Sequence, residues 1–304
     1  MSDRTRIARV ASHSGPEQAH IGTMVFGAAP TSPTPTDSYL RLHRVIRAAC
    51  LEETRPGAFI FAAHRRANSR LEGEAVAVGR LWLAATEAPR AGTLGRHESV
   101  DLPIASEAAL SLRHVLFVVR LVSGRVRYSA IDLETPGGLH TRHGAQRLTE
   151  TDRPTTLRTA GLTFFCVPTG PNSALPVDAF DARRLLEEAP RPRQPSLAEM
   201  FLRRPGGVLT MCLGDQVLPL TADAPMLERG VLIGQQERCD VLIPDKYVSR
   251  VHAVAVNIEG VPYLVDTGST NGTWHHSAAQ VKCWKLEDGD RFAIGCATVE
   301  WRSP

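Results

Sequence analysis

The sequence predicts an all-β protein with two β-sandwich domains in tandem, a short N-terminal helix and a Pro-rich helical linker. Three observations support this prediction. The chain has 304 residues, enough for two domains. From about residue 75 onward, short runs rich in β-branched and aromatic residues alternate with Gly, Pro, Ser and Thr clusters, which is typical of a sandwich. The two β-rich halves also repeat one spacing of Gly, Asp, Ser and His residues.

The composition excludes several classes of protein. A hydrophobic fraction of 43% and a charged fraction of 22% are ordinary for a globular chain, and exclude a collagen, a coiled coil or a fully disordered protein. The net charge of +3 is too small to predict a nucleic-acid or membrane partner, and neither half holds a run of clustered basic and aromatic residues. The first residues lack the apolar run of a signal peptide, and the longest strongly apolar stretch, 115–119, is too short to span a membrane. We expect a cytoplasmic protein with no nucleic-acid partner and no membrane partner.

No metal and no cofactor are expected. The six cysteines include no Cys-x-x-Cys pair, so they predict neither a zinc module nor a redox motif. His275 and His276 are adjacent, and the side chains of adjacent strand residues diverge, so the two should not share a metal ion. Asp288 and Asp290 resemble part of a calcium loop, but the later ligands are absent, and an Asp-Gly turn explains the pair.

The N-terminal segment 1–37 is predicted to be a disordered tail, because it holds few large apolar residues and ends in a stretch rich in Pro and Thr. A helical extension is predicted over 38–72, with Asp37 or Ser38 as the N-cap of its helix. Apolar residues share one face of this helix at helical spacing: Tyr39, Leu42, Val45, Ile46, Ala49 and Cys50. We interpret this face as packing on the next domain. The arginines opposite it would alternatively suit an anionic membrane surface.

The first β-rich domain is predicted over 73–168 and the second over 205–304, with a tight hairpin at Gly214-Asp215. Between the domains, 169–204 is predicted to be a linker, because six of the 21 prolines fall between residues 167 and 196. Two short helices are expected in this linker, each preceded by an N-capping residue.

Both β-rich halves contain the same ordered series of residues. In each half Gly precedes Asp by six residues, Ser precedes His by three, and a second Asp precedes a last Gly by six. The two series are Gly95, Asp101, Ser111, His114, Asp132 and Gly138 in the first half, and Gly234, Asp240, Ser249, His252, Asp266 and Gly272 in the second. The gap between His and the second Asp differs most, and it spans a hairpin tip, at Ser123-Gly124 and at Glu259-Gly260, where insertions are tolerated. The pattern indicates a domain duplication with roughly 100 residues per copy.

The motif of the second half resembles the forkhead-associated (FHA) domain, a β-sandwich that binds phosphothreonine peptides through loops at one end. Four sequence blocks occur in the family's order and at family-like spacing: Ile233-Gly234, Ser249-Arg250-Val251-His252, Asp266 to Thr273, and Leu286 to Gly295. The first half matches the same pattern more weakly, and we interpret it as a degenerate FHA-like copy.

The resemblance implies a phosphothreonine site in the second copy. A phosphothreonine carries about −1.5 to −2 charges and strong acceptor oxygens, so its site needs charge-assisted donors on rigid loops. By resemblance, the Ser249 hydroxyl, the Arg250 guanidinium and the Thr270 hydroxyl contact the phosphate. Asn271 would pair with the peptide backbone, since its amide offers both donors and an acceptor. Structural roles fall to four further residues of the motif: Gly234, His252, Asp266 and Gly272.

The sequence departs from the family pattern at several positions. The family usually has Arg directly after the Gly of the first loop, whereas this chain has neutral Gln235, with Arg238 three residues further on. The first copy has Leu112 at the position of Arg250, and Gly137 at the position of Asn271. It keeps the other motif residues Gly95, Arg96, Ser111, His114 and Gly138. We expect the first copy to keep the fold and to lack a phosphopeptide site.

The resemblance implies an adaptor in bacterial Ser/Thr kinase signalling that binds a threonine-phosphorylated protein or peptide through its second domain. The alternative is a phosphate-independent scaffold or assembly protein that uses both sandwiches. An enzyme is not expected. Ser249 and His252 lie three apart on a strand, which places them on opposite faces, and no third catalytic partner is evident.

The chain's own tail is a candidate ligand. Asp37 follows Thr34 by three residues, and FHA domains often favour Asp three residues after the phosphothreonine. An extended, accessible segment suits both a kinase and an FHA groove. Phosphorylated Thr34 would either close over the groove of its own chain or bind the second domain of a neighbouring molecule, which would produce a homodimer.

Overall fold

The computed structural model describes residues 35–64, 78–141, 144–146, 148–171 and 206–304. Most of the predicted tail and the two predicted linker helices lie outside these residues. The described residues form mostly β-structure, arranged as four sheets in two sandwiches. The predicted fold class is therefore confirmed.

The first half begins with a helix that is followed by eleven strands. Its elements are α1 (Pro35–Glu52), β1 (Gly57–His64), β2 (Val78–Ala84), β3 (Arg90–Gly95), β4 (Leu102–Pro103), β5 (Val115–Val122), β6 (Arg125–Asp132), β7 (Leu139–Thr141), β8 (Gly144–Gln146), β9 (Leu148–Thr151), β10 (Thr155–Thr159) and β11 (Leu162–Thr169).

The second half contains eleven more strands and a short helix. Its elements are β12 (Gly207–Leu213), β13 (Gln216–Ala222), α2 (Ala224–Arg229), β14 (Val231–Gly234), β15 (Val241–Leu242), β16 (Ala253–Ile258), β17 (Val261–Asp266), β18 (Thr273–His275), β19 (Gln280–Val281), β20 (Cys283–Lys285), β21 (Arg291–Ile294) and β22 (Ala297–Arg302).

The helix α1 packs on the first sandwich through the face that the sequence predicted. The buried residues Leu42, Ile46, Ala49 and Cys50 contact an apolar surface made by β1 and β11. The helix begins at Pro35, slightly earlier than the predicted cap, and proline suits the first turn because that turn needs no N–H donor. No helix in the described part of the chain is long and apolar enough to cross a membrane.

The prediction of a helical extension over 38–72 is wrong at 57–64, where β1 follows the helix and lies between β2 and β11. Residues Ala58, Ile60 and Ala62 of β1 face the sandwich core, whereas the alternate aromatic residues face α1. Since both faces of the strand are covered, its sequence is a continuous apolar run. Such a run has no strand period by which it could be recognised.

The two sandwiches share one plan. The first pairs a six-stranded sheet, β2-β1-β11-β10-β7-β8, with a five-stranded sheet, β4-β3-β5-β6-β9. The second pairs β13-β12-β22-β21-β18-β19 with β15-β14-β16-β17-β20. In each five-stranded sheet the first long strand runs parallel to a two-residue strand and antiparallel to the next long strand. The predicted hairpins at Ser123-Gly124, Gly214-Asp215 and Glu259-Gly260 join the expected strands.

The outer faces of the two five-stranded sheets pack against each other. On β5, Val115 and Phe117 point into the core of the first sandwich, whereas Leu116 and Val118 point into the contact with the second. On β16, Val254 makes the matching contact from the other side. Strands covered on both faces are expected to read as unbroken apolar runs. We call this contact the inter-sandwich interface.

Candidate functional site

Three loops of the second sandwich meet at one end: the loop after β14, the loop before β16 and the loop between β17 and β18. Gln235 lies in the first, Ser249 and Arg250 in the second, and Thr270 and Asn271 in the third. The backbone N–H of Gln235 donates to the Ser249 carbonyl at 3.0 Å. The backbone N–H of Thr270 donates to the Ser249 hydroxyl oxygen at 3.2 Å. Ser249 therefore joins all three loops.

Gly234 allows the first two loops to approach closely. A Cβ at this position would overlap the carbonyl oxygen of Arg250 and come within 2.9 Å of the carbonyl oxygen of Ser249. Because both contacts are to backbone atoms, no side-chain movement could relieve them. Gly234 is therefore required by the packing of the loops.

His252 is fully buried and connects the second loop to the third. Its Nδ1 accepts the Ser249 backbone N–H at 3.1 Å, and its Nε2 donates to the Gly272 carbonyl at 3.2 Å. Burial lowers the pKa of His252, and the nearby Asp266 carboxylate opposes this effect. The neutral ring with its proton on Nε2 satisfies both bonds.

Asp266 sets the shape of the third loop. Its carboxylate accepts the backbone N–H groups of Gly268 and Ser269 at 2.8 and 2.7 Å. It also accepts the hydroxyls of Ser269 and Thr273 at 2.6 and 2.7 Å. Gly272 ends the loop with a φ of 77°, which favours glycine. The loop is thus fixed from inside while the residues between these anchors face outward.

The outward residues are the ones that the resemblance assigns to a peptide. Arg250, Thr270 and Asn271 are exposed, and the Arg250 guanidinium has no ion pair within the described residues. One Nδ2 hydrogen of Asn271 is used by the Tyr247 carbonyl at 2.7 Å. The other hydrogen and the Oδ1 oxygen of Asn271 remain available for a peptide backbone. The arrangement offers an exposed cation, two hydroxyls and an oriented amide within one loop cluster.

The charge missing at Gln235 is not replaced by Arg238. The Arg238 guanidinium crosses to the first sandwich, where its Nη1 donates to the Glu134 carbonyl at 2.9 Å. Gln235 itself is exposed. Within the predicted site of the second copy, Arg250 is therefore the unengaged cation.

The loops of the first copy repeat these contacts. Arg96 N donates to the Ser111 carbonyl at 3.0 Å, and Ser111 N donates to His114 Nδ1 at 2.9 Å. A Cβ on Gly95 would overlap the Leu112 carbonyl, just as a Cβ on Gly234 would overlap the Arg250 carbonyl. Gly138 has a φ of 60°, again as in the second copy. The duplicated spacing in the sequence therefore corresponds to duplicated loop geometry.

The first copy lacks the exposed side chains that would bind a phosphopeptide. Leu112 and Gly137 stand where Arg250 and Asn271 stand in the second copy. The sequence analysis did not identify a third lost side chain: Pro136 stands where the second copy has Thr270, so the first copy also lacks this hydroxyl. The constant spacing of the repeat would have revealed the difference. An open pocket of about 460 Å³ at this place is lined by Asp132 and Glu134 and by Arg238 of the second sandwich.

Sequence reasoning also missed a contact between the two sandwiches at the third loop. The Gly268 carbonyl accepts a bond from Arg113 Nε at 3.0 Å and a second from Arg113 Nη2 at 2.5 Å. The hydroxyl of Ser99 donates to the same carbonyl at 3.0 Å. Nearby, Lys282 forms an ion pair with Asp101 at 2.9 Å. No local sequence pattern could show contacts between residues so far apart in the chain.

The expected divergence of His275 and His276 is wrong, since their ring centroids lie 3.9 Å apart. The strand β18 ends at His275, so strand alternation no longer applies beyond it. With Asp290 these residues place their ligand atoms within 4.8 Å of one another, as no other group in the described residues does. His275 already contacts Ser277 Oγ at 2.7 Å and Asp290 Oδ1 at 3.1 Å. These bonds occupy both ring nitrogens of His275 and brace the hairpin.

Several solved structures are similar to this chain. An FHA domain from an analysis of phosphothreonine-dependent FHA domain interactions is 30% identical over 32% of this chain and 97% of that chain, with a TM-score of 0.27. Mycobacterium tuberculosis EmbR in complex with a low-affinity phosphopeptide is 23% identical over 32% of this chain and 24% of that chain, with a TM-score of 0.27. The first FHA domain of Mycobacterium tuberculosis Rv1747 is 24% identical over 32% of this chain and 97% of that chain, with a TM-score of 0.26.

No curated protein is significantly similar to the chain. The family model of the FHA domain matches residues 231–295. This match begins at β14 and ends just after β21, and it includes the three loops described above. Residues 231–295 are therefore a forkhead-associated domain, carried on the second of two stacked sandwiches.

Proposed function

We propose that the second sandwich binds threonine-phosphorylated proteins at the site formed by Ser249, Arg250, Thr270 and Asn271. The observation that carries this proposal is the bond from Thr270 N to Ser249 Oγ, which joins the two loops beside an exposed, unpaired arginine. FHA domains are phosphopeptide-binding modules, which supports the same conclusion.

The chemistry of the site suits a phosphate dianion. Ser249 Oγ accepts a bond from Thr270 N, so its own O–H proton is free to donate to a phosphate oxygen. The Arg250 guanidinium supplies a charge-assisted donor, which forms shorter and stronger bonds than a neutral one. Asn271 is held by the Tyr247 carbonyl and can bind the peptide backbone, which sets the position of the peptide along the groove.

The geometry does not support a hydrolytic role for Ser249 and His252. The imidazole of His252 binds the backbone N–H of Ser249 rather than its hydroxyl, and the ring is fully buried. A nucleophile needs a base within hydrogen-bond reach of its own oxygen. The site therefore supports binding rather than catalysis.

At the level of the whole protein, we propose a cytoplasmic adaptor in bacterial Ser/Thr kinase signalling. The second sandwich would bind the phosphorylated partner, and the first would contribute no phosphate contact because of Leu112, Pro136 and Gly137. A phosphate-independent scaffold is the competing function, and it would use the same sandwiches without Arg250.

Binding of a degenerate phosphothreonine peptide pool to the full chain tests the proposal. We expect binding to disappear when the pool is treated with phosphatase. Arg250→Ala should lower the affinity about ten- to a hundred-fold, since a hydrogen bond to a charged group contributes roughly 1.5–3 kcal/mol.

The matched control is Arg291→Ala, which removes an exposed arginine of β21 that pairs with Glu300. This variant should bind the peptide pool with the affinity of the wild type. Calorimetric titration measures the affinity of the wild type, Arg250→Ala and Arg291→Ala for the peptide pool. Binding that survives phosphatase treatment, or that is equal in Arg250→Ala and the wild type, would support the scaffold instead.

A further inference from the structure

Residues of the first sandwich form hydrogen bonds to one backbone carbonyl in the third loop of the FHA site. The Gly268 carbonyl accepts two bonds from the Arg113 guanidinium, at 3.0 and 2.5 Å, and one from the Ser99 hydroxyl at 3.0 Å. Gly268 lies two residues before Thr270, between the anchor Asp266 and the outward residues. The segment that carries Thr270 and Asn271 is thus tied to a different domain from its own.

Arg113 is committed to this contact. Its side chain is buried, with an exposed fraction of 7%, and burial lowers its pKa while the charge of Asp266 opposes that effect. Its hydrogen bonds in the described residues go to Gly268 and, at 3.4 Å, to Ser99. A buried guanidinium without a bonded carboxylate is costly, so its donors must be well placed on the groups they do reach.

The contact has a counterpart on the other side of the inter-sandwich interface. Ser99 and Arg238 each lie four residues after the first Gly of their copy, and Gly268 and Glu134 each lie two residues after the second Asp. Ser99 bonds to the Gly268 carbonyl, and Arg238 bonds to the Glu134 carbonyl at 2.9 Å. The two copies therefore exchange equivalent contacts. Only the contact made by the first copy reaches a loop with binding residues.

We propose that Arg113 and Ser99 of the first sandwich are positioning residues for the FHA site of the second sandwich. This inference rests on the proposed function of that site. A loop that is already held in its binding conformation loses less conformational entropy when a peptide binds, so the affinity is higher. The degenerate copy thereby supports phosphopeptide binding without touching the peptide.

Full-length Arg113→Met, Arg113→Lys and wild-type proteins test the proposal. Two quantities are measured: affinity for the phosphothreonine peptide pool, and hydrogen exchange of the amides of Ser269 and Thr270, which are bonded to Asp266 and Ser249. We expect Arg113→Met to lose affinity at least ten-fold and to exchange these amides faster. Arg113→Lys keeps a donor and should recover part of both losses.

The matched control is Arg127→Met, which removes a different arginine from the inter-sandwich interface. Arg127 pairs at 2.6 Å with Glu259, which lies in the hairpin tip that follows β16. This variant should keep wild-type affinity and wild-type exchange at the third loop. Equal losses in Arg127→Met and Arg113→Met would overturn the proposal, because they would reflect general weakening of the interface.

Wild-type affinity and exchange in Arg113→Met would also overturn it. If the wild-type chain binds no phosphopeptide while Arg113→Met still exchanges the loop amides faster, the positioning role stands and the proposed function fails. If Arg113→Met does not fold, Ser99→Ala decides, since Ser99 is exposed. Faster exchange of the Thr270 amide in Ser99→Ala supports the proposal, and unchanged exchange contradicts it.

Discussion

Gln235 occupies the position at which FHA domains usually carry an arginine, and it is exposed beside Ser249 and Arg250. Its backbone makes the same loop contact that Arg96 makes in the first copy, so the backbone does not require the change of side chain. Gln235 reduces the positive charge of the site by one. We infer that affinity for a dianionic phosphate is below the level that this loop geometry would permit.

Gln235→Arg should therefore strengthen binding of a phosphothreonine peptide. A second charge-assisted donor beside Arg250 adds up to about 1.5 kcal/mol, or roughly ten-fold in affinity. Calorimetric titration of the full chain measures the change, with Gln236→Arg as the control for added charge on the same loop. Weaker binding by Gln235→Arg would show that the glutamine makes a specific contact with the peptide.

The buried imidazole of His114 makes the stability of the first sandwich depend on pH. Burial lowers the pKa of His114 to about 4, and the unfolded chain has the ordinary value of about 6.5. The unfolded state therefore binds the proton more readily. The stability that follows from the neutral ring is complete above pH 6.5 and is lost as pH falls toward 4.

We expect the free energy of unfolding to fall by up to about 3 kcal/mol from this group between pH 7 and pH 4. Urea unfolding at a series of pH values measures the fall. His114→Gln should be less stable at pH 7 but should lose less stability on acidification. An equal loss in His114→Gln and the wild type would contradict the assignment to His114.

At the level of elements, local signals explain what the sequence could predict. The tips at Ser123-Gly124 and Glu259-Gly260 have φ values of 48° and 74°, and of 51° and 82°. These left-handed angles suit a two-residue hairpin with Gly at its second position, and the pattern is readable from neighbouring residues alone. The motif residues of the loops were readable for the same reason, because their spacing is short and constant.

Contacts between distant segments explain what the sequence could not predict. Arg113 and Gly268 are separated by 155 residues, and nothing in the residues around either one indicates the other. The strand β1 was missed because α1 covers its outer face, which turns an alternating pattern into a continuous apolar one. In both cases the partner element determines the environment of the residues.

The inter-sandwich interface should make the two sandwiches unfold as one unit. Leu116 on β5 is fully buried in this interface rather than in the core of its own sandwich. Leu116→Asp would bury an unpaired carboxylate there, at a cost of about 3–5 kcal/mol. We expect scanning calorimetry to show one transition for the wild type and two separated transitions for the variant.

The control for this experiment is Leu51→Asp, since Leu51 on α1 is 61% exposed. It should unfold in one transition near the wild-type temperature. Two transitions in the wild type would mean that the interface does not couple the sandwiches, and a single transition at the wild-type temperature for Leu116→Asp would mean that Leu116 does not contribute to the coupling.

At the level of the whole molecule, the layers follow one another as helix, six-stranded sheet, five-stranded sheet, five-stranded sheet and six-stranded sheet. The helix that follows the predicted tail is docked on the first sandwich, at the far side of the stack from the second. A tail that starts there reaches the FHA site of its own chain only by passing the first sandwich. A second molecule avoids this path, which favours binding between molecules.

We therefore expect phosphorylation of Thr34 to link two molecules through Arg250. The first turn of α1 contains Asp37, so an extended peptide around Thr34 requires that this turn unwinds, and helix ends open at little cost in free energy. Once one phosphorylated tail has bound, the second tail and site of the pair meet as an intramolecular event, which strengthens a reciprocal dimer. Light scattering of the kinase-treated protein should show a doubled mass that returns to the monomer value in Thr34→Ala and in Arg250→Ala, but not in the control Thr31→Ala. If the phosphorylated wild type keeps the mass of the untreated chain and binds an independent phosphopeptide with unchanged affinity, the tail is not a ligand of this domain.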